Sequence, residues 1–170
     1  MEEKSSIWKN SFTHGVILGL VMMVFAIIMY VSNTFYNQNM QTIYYVIIVT
    51  TIVIGTLNQK KLDNGFISYG KALGTGTVIS LVGAVIFSMF ILVLFKYIDT
   101  SLIDRYLYET EKMYIELGKS EEEIDLIMMF SRKMPVLINV FGYITGFSFM
   151  GFLLSLITSI FLKSKNKNIA

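Results

Sequence analysis

The sequence predicts an all-α protein: an integral membrane bundle of four transmembrane helices with an amphipathic helical hairpin between helices 3 and 4. Three observations carry that prediction. Of the 170 residues, 54% are hydrophobic and 15% charged, with a mean hydropathy of +0.61. That is too apolar for a soluble domain of this size. Four long stretches carry no acidic or basic residue apart from a single histidine. The charges are instead gathered into the connections, so the net charge of +2 hides a strong segregation. So small an excess does not point to a nucleic-acid partner. The chain has no cysteine, which excludes disulfides, thiolate metal sites, a cysteine nucleophile and a lipoprotein anchor. Residues 1–170 read as a single membrane domain.

The four stretches fall at about 12–31, 40–57, 72–95 and 136–162, with 20, 18, 24 and 27 residues. A hydrocarbon core about 30 Å thick needs about 20 helical residues, and all four meet that demand. The first is preceded by Lys4 and Lys9, as a signal peptide would be. It is longer than a signal-peptide core and no A-x-A site follows it, so it reads as a retained span. The connections differ in character. Residues 32–39, SNTFYNQN, are polar and uncharged. Residues 58–71 are basic, with Lys60, Lys61 and Lys71 against Asp63. The long connection 96–135 holds nine acidic and six basic residues.

Within that connection, at about 101–134, the pattern becomes helical and amphipathic. Ile103, Tyr106, Leu107, Thr110, Met113, Tyr114 and Leu117 recur at helical spacing. Gly118 supplies a stop because it takes positive φ at little cost. Ser120 and Glu123 then form a capping box, and Ile124, Ile127, Met128 and Ser131 share one face of a second helix. Three glutamates at its start and Arg132–Lys133 at its end both suit the helix dipole. Pro135 ends this helix or begins the fourth span. The pair reads as a hairpin on or near the membrane surface, capping the bundle or meeting a partner.

Residues 65–72, GFISYGKA, fall one residue short of a phosphate loop, G-x-x-x-x-G-K-[ST]. Ala72 stands where the magnesium-binding hydroxyl belongs, no strand precedes the segment, and no span holds an aspartate. The segment therefore predicts no nucleotide site. It opens a helix whose small residues recur every four positions: Ala72, Gly76, Ser80, Ala84 and Ser88. In lipid, such stripes let backbones approach and substitute for a hydrophobic drive between helices. The fourth helix repeats the device with Gly142, Gly146, Gly151, Ser155 and Ser159, and the first with Gly15 and Gly19. These twelve residues are the candidate packing positions. Tyr69 and Lys71 then read as interface anchors. Asn139, Thr50, Thr51 and the helix-3 serines are candidates for bonds between helices.

The stretch FISYGKALGTGTVISLVGAVIFS resembles the motif of the domain of unknown function 4199 family, as do the Gly15-x-x-x-Gly19 step and the ELGKSEEEID segment. The resemblance covers nearly the whole chain. It implies a small four-helix membrane protein of a type found in Bacteroidota. It implies no activity, cofactor or catalytic residue.

The residues themselves point to no enzyme. His14 is the one ionisable group within the spans, and a lone histidine near an interface reads as structural. Glu121, Glu122, Glu123 and Asp125 form the densest acidic cluster, which capping explains without a cation. The eleven methionines read as adaptable packing. No cofactor and no metal is expected. The expected partners are the lipid bilayer and either another membrane protein or further copies of this chain. The expected role is structural or interactive, in a bacterial inner membrane. A small transporter or channel component acting as an oligomer is the alternative.

An even number of spans puts both termini on one side, with the 58–71 connection. That side collects eight basic residues, Lys4, Lys9, Lys60, Lys61, Lys71, Lys163, Lys165 and Lys167, against six in 96–135. The positive-inside rule then predicts cytoplasmic termini and an exterior hairpin. Trp8 and Tyr69 on one side, and Tyr36, Tyr44 and Tyr97 on the other, suit two interfacial belts.

Overall fold

The structure, a computed structural model, describes residues 7–164. Lys4, Lys165 and Lys167, which entered the charge comparison, lie outside the described residues. Helices run over Ile7–Val31 (α1), Gln38–Leu62 (α2), Tyr69–Val93 (α3), Ser101–Glu116 (α4), Glu121–Lys133 (α5) and Pro135–Leu162 (α6). There is no strand among the described residues. The fold class is all-α. Four helical segments are long and apolar enough to cross a membrane: α1, α2, Tyr69–Ile98 and α6.

The helices run past the charge-free stretches. α1 begins five residues before position 12, and α2 continues through Lys60 and Lys61 to Leu62. The physical reason is that charge ends a span, not a helix. Two lysines in the last turn of α2 favour the dipole. The chain then turns through Asn64 and Gly65, both at positive φ (55° and 86°), and the Gly65 N–H reaches the Lys60 carbonyl oxygen at 2.9 Å. At the other end of α2, the Asn37 side chain accepts from the Asn39 and Met40 N–H groups. Pro135 is the first residue of α6, where its missing N–H has no intrahelical acceptor to lose.

The described residues divide into two compact units. One comprises 7–87 and 144–164; the other comprises 88–143. In the first unit the core is formed by Leu18, Met22, Ile48, Ile52, Ile79 and Phe87, each at most 1% exposed. Tyr44 is buried within it. Its ring centroid lies 5.0 Å from Phe25, 5.4 Å from Phe87 and 5.5 Å from Phe147, in edge-on or tilted contacts that suit the ring quadrupoles. That corrects its assignment to an interfacial belt: a tyrosine in a polar-flanked span looks amphipathic in sequence, but aromatic neighbours draw this one inward. Trp8 and Tyr97 are both exposed.

The second unit opens with the end of α3, which leaves its helix in a π-turn over Leu94–Ile98, where the Asp99 N–H reaches back to the Leu94 carbonyl oxygen at 2.9 Å. α4 and α5 pack on each other. Gly118 takes φ 72° between them, and the Ser120–Glu123 capping box is formed. Arg132 on α5 reaches Glu111 on α4 at 3.3 Å. Ile124, Met128 and Ser131 are the buried residues of α5.

Candidate functional site

The lower turns of α1 and α2 and the start of α3 carry the densest set of buried polar groups. Asn10, Ser11, Thr56, Gln59 and Thr75 are all at most 7% exposed. Asn10 registers the first two helices: its Nδ2 donates to the Gly55 carbonyl oxygen at 2.9 Å, and its Oδ1 accepts from Asn58 Nδ2 at 2.8 Å. His14 stands one turn on, with Nδ1–H donating to the Asn10 carbonyl oxygen at 2.9 Å. Gly55 makes room for the rings and chains around it, since a Cβ there would collide with Ile79 and lie 3.1 Å from the His14 ring.

Charge enters at the rim. Lys71 Nζ sits 2.6 Å from both oxygens of Asp63, and Gln59 Nε2 donates to Asp63 Oδ2 at 3.3 Å. Lys71 is thus held by a carboxylate rather than standing as a simple interface anchor, and Tyr69 beside it is 37% exposed. Thr75 Oγ1 bonds back to the Lys71 carbonyl oxygen at 2.8 Å. The hydroxyls of Ser11 and Thr56 are buried and meet no hydrogen-bonding partner among the described residues. Among the described residues, no three His, Asp or Glu side chains come together as a metal site would need.

Sequence reasoning passed over this cluster because it began the first span at Phe12, past Asn10 and Ser11, ended the second at Leu57, before Gln59, and gave Thr56 and Thr75 inside the spans no role. The signal was present nonetheless. Ser11 continues the Gly15–Gly19 stripe one turn back, and Thr56 continues the Ile48–Ile52 stripe one turn on.

A second arrangement is the set of small-residue contacts. Gly15 and Gly19 on α1 face Val82 and Ile86 on α3, where a Cβ would come within 2.6 and 2.7 Å of their side chains. Gly83 on α3 receives Leu18 in return. The numbers rise together along both helices, so α1 and α3 run parallel. On the opposite flank α3 meets α6 in reverse order: Gly76 faces Ser155, and Ser80 faces Gly151. Each serine turns its hydroxyl onto its own helix, Ser80 to Gly76 O at 2.9 Å and Ser155 to Gly151 O at 2.7 Å. Ala72, Ala84, Ser88 and Ser159 are buried. Gly142 and Gly146 differ, being exposed, with nothing within 4 Å of a Cβ built on either.

The candidates for bonds between helices behave otherwise than expected. Thr51, Ser80 and Asn139 donate to carbonyls of their own helices, at 2.8, 2.9 and 3.0 Å. A short hydroxyl or amide four residues from a carbonyl finds that acceptor before it finds a neighbouring helix. Asn10 supplies a crossing bond instead, between α1 and α2.

The family model described as protein of unknown function (DUF4199) matches residues 13–164. The chain belongs to that family. The match takes in the charged connection as well as the four apolar helices, so the DUF4199 family spans both compact units. No curated protein and no solved structure matches the chain.

Proposed function

We propose that this multi-pass membrane protein acts as a non-catalytic accessory in the bacterial inner membrane, associating through α6 with a helix of another protein or of a second copy. The observation that carries the reading is Gly146, exposed on α6 at Gly-x-x-x-Gly spacing from Gly142. Glycine costs a helix about 1 kcal/mol relative to alanine. At Gly76 and Gly151 that loss accompanies close packing. At Gly146 a Cβ would meet no atom of the described residues within 4 Å. A Gly-x-x-x-Gly surface is suited to another helix backbone. The core of the first unit is closed by apolar and aromatic side chains, and Lys71 is neutralised by Asp63, which suits association better than proton-coupled transport or catalysis.

The orientation belongs to the same proposal: termini cytoplasmic and residues 96–135 exterior, on the distribution of lysine and arginine. The test of association is disulfide crosslinking in native membranes from cysteines placed at Phe141 and Phe149, both exposed on α6. A crosslinked band lost on Gly146→Leu supports the reading; no crosslink at either position refutes it.

A second reading, a small transporter or channel component acting as an oligomer, is favoured by one observation: the buried hydroxyls of Ser11 and Thr56, which have no hydrogen-bonding partner among the described residues. Flux of ions and small solutes into proteoliposomes separates the two. Flux above that of empty liposomes selects the transporter.

A further inference from the structure

α5 is built as a gradient along its axis. Its acids, Glu121, Glu122, Glu123 and Asp125, all lie in the first five residues. The next five, Leu126, Ile127, Met128, Met129 and Phe130, are all apolar. A helix segment apolar on every side is normally covered on every side. Here the Met128 side is buried, while Leu126, Met129 and Phe130 are 57–59% exposed. At 100° per residue these three share one sector of the helix, opposite the buried stripe of Ile124, Met128 and Ser131.

What covers that sector follows from chain continuity. α5 ends at Lys133 and the span α6 begins at Pro135, so one residue, Met134, separates the apolar half of α5 from a membrane-crossing helix. Arg132 and Lys133 stand at this junction, where headgroup phosphates attract cations and long basic side chains reach out from an apolar bed. The acidic end lies at the far end of α5, about 20 Å away at 1.5 Å per residue. We propose that the Leu126–Met129–Phe130 face of α5 is seated in the lipid leaflet at the headgroup–acyl boundary, with the Glu121–Glu123 end in water. Lipid, rather than a protein, is the occupant. This inference is independent of the role of α6.

The chain has one tryptophan, Trp8, so a single-tryptophan reporter is simple to make. In the Trp8→Phe background, Phe130→Trp, Leu126→Trp and Glu122→Trp are each reconstituted into nanodiscs with and without lipids brominated near the headgroup end of the chains. The expected result is blue-shifted emission at positions 130 and 126 that loses its larger part in brominated lipid. Position 122 should emit as in water and lose little. Unshifted, unquenched emission at 130 and 126 would place the face in water and overturn the proposal. Blue-shifted emission without bromine quenching would mean a protein covers it, and overturns it equally. Having two reporters on the face keeps the test decisive if one variant does not fold.

Discussion

The Lys71 ammonium lies 2.6 Å from the Asp63 carboxylate, joining the first turn of α3 to the residue that ends α2. Both side chains are mostly covered, at 20% and 12% exposure. Removing one partner leaves the other charge poorly solvated. Lys71→Ala should therefore destabilise the protein by about 1–3 kcal/mol, the cost of an unmatched, partly buried polar group. In an Asp63→Ala background the same change should cost less, because the two residues share one interaction. Thermal unfolding in detergent of the two single variants and the double variant measures the difference.

The same residue closes the phosphate-loop question by experiment. Equilibrium binding of ATP should be undetectable in the parent protein and in Lys71→Ala alike. Saturable binding abolished by that substitution would overturn this reading of residues 65–72.

Glycines in contact and glycines in the open should respond in opposite ways. Gly76→Leu drives a side chain into Ser155 and Ile52, and Ala84→Leu overfills a fully buried position; each should cost about 1–3 kcal/mol. Ile91→Leu, at a buried position of the same helix, should cost less than about 1.5 kcal/mol because volume is conserved. Gly142→Ala and Gly146→Ala should leave the stability of the isolated chain unchanged or raise it by up to about 1 kcal/mol through helix propensity. Urea or thermal midpoints of the series decide the matter.

Glu123 gives the second unit a pH dependence. The Lys119 side chain bonds to its carboxylate at 3.0 Å and the Ser120 N–H at 3.1 Å, and both lower its pKa below the usual 4.5. A depressed folded-state pKa contributes stability above the unfolded value and loses it as pH falls through the folded one. Amide exchange at Glu123 and Ile124 should therefore quicken as pH drops below 4.5, after correction for the intrinsic rate. Ser120→Ala should quicken the same amides at neutral pH, since Ser120 Oγ accepts the Glu123 N–H at 3.3 Å.

Orientation is tested in a chain that has no cysteine of its own. Ser120→Cys should react with an impermeant thiol reagent on intact cells. Ser164→Cys should stay silent until the cells are opened. The reverse pattern would refute exterior placement of residues 96–135.

How much was legible depended on whether the cause was local. Hydropathy located the apolar helices because span length is a property of each segment alone. The Ser120–Glu123 cap was legible for the same reason, its partners being three residues apart. The polar cluster was not, because Asn10 acquires meaning only from Gly55, 45 residues away. Tyr44 was misplaced for a similar reason: its surroundings are rings from three other helices. The small-residue stripes were visible as stripes, yet spacing does not say which neighbour each will meet. Gly151 meets Ser80, while a Cβ added at Gly146 meets no atom of the described residues within 4 Å.

The end of α6 is fastened to the turn between α2 and α3. The Ser164 N–H donates to the Ile67 carbonyl oxygen at 2.9 Å, Ser164 Oγ donates to Gly65 O at 3.2 Å, and Lys60 Nζ reaches Leu162 O at 3.2 Å. Gly65 and Ser164 are 99 residues apart. At about 5–20 residues per second, the ribosome delivers the second half of this clasp roughly 5–20 seconds after the first. Over that interval α3 to α6 are synthesised, with Gly151 and Ser155, which face Ser80 and Gly76, among the later residues. The clasp is thus closed by a residue made well after the turn it fastens, with Ser164, just past the end of α6, acting as the latch.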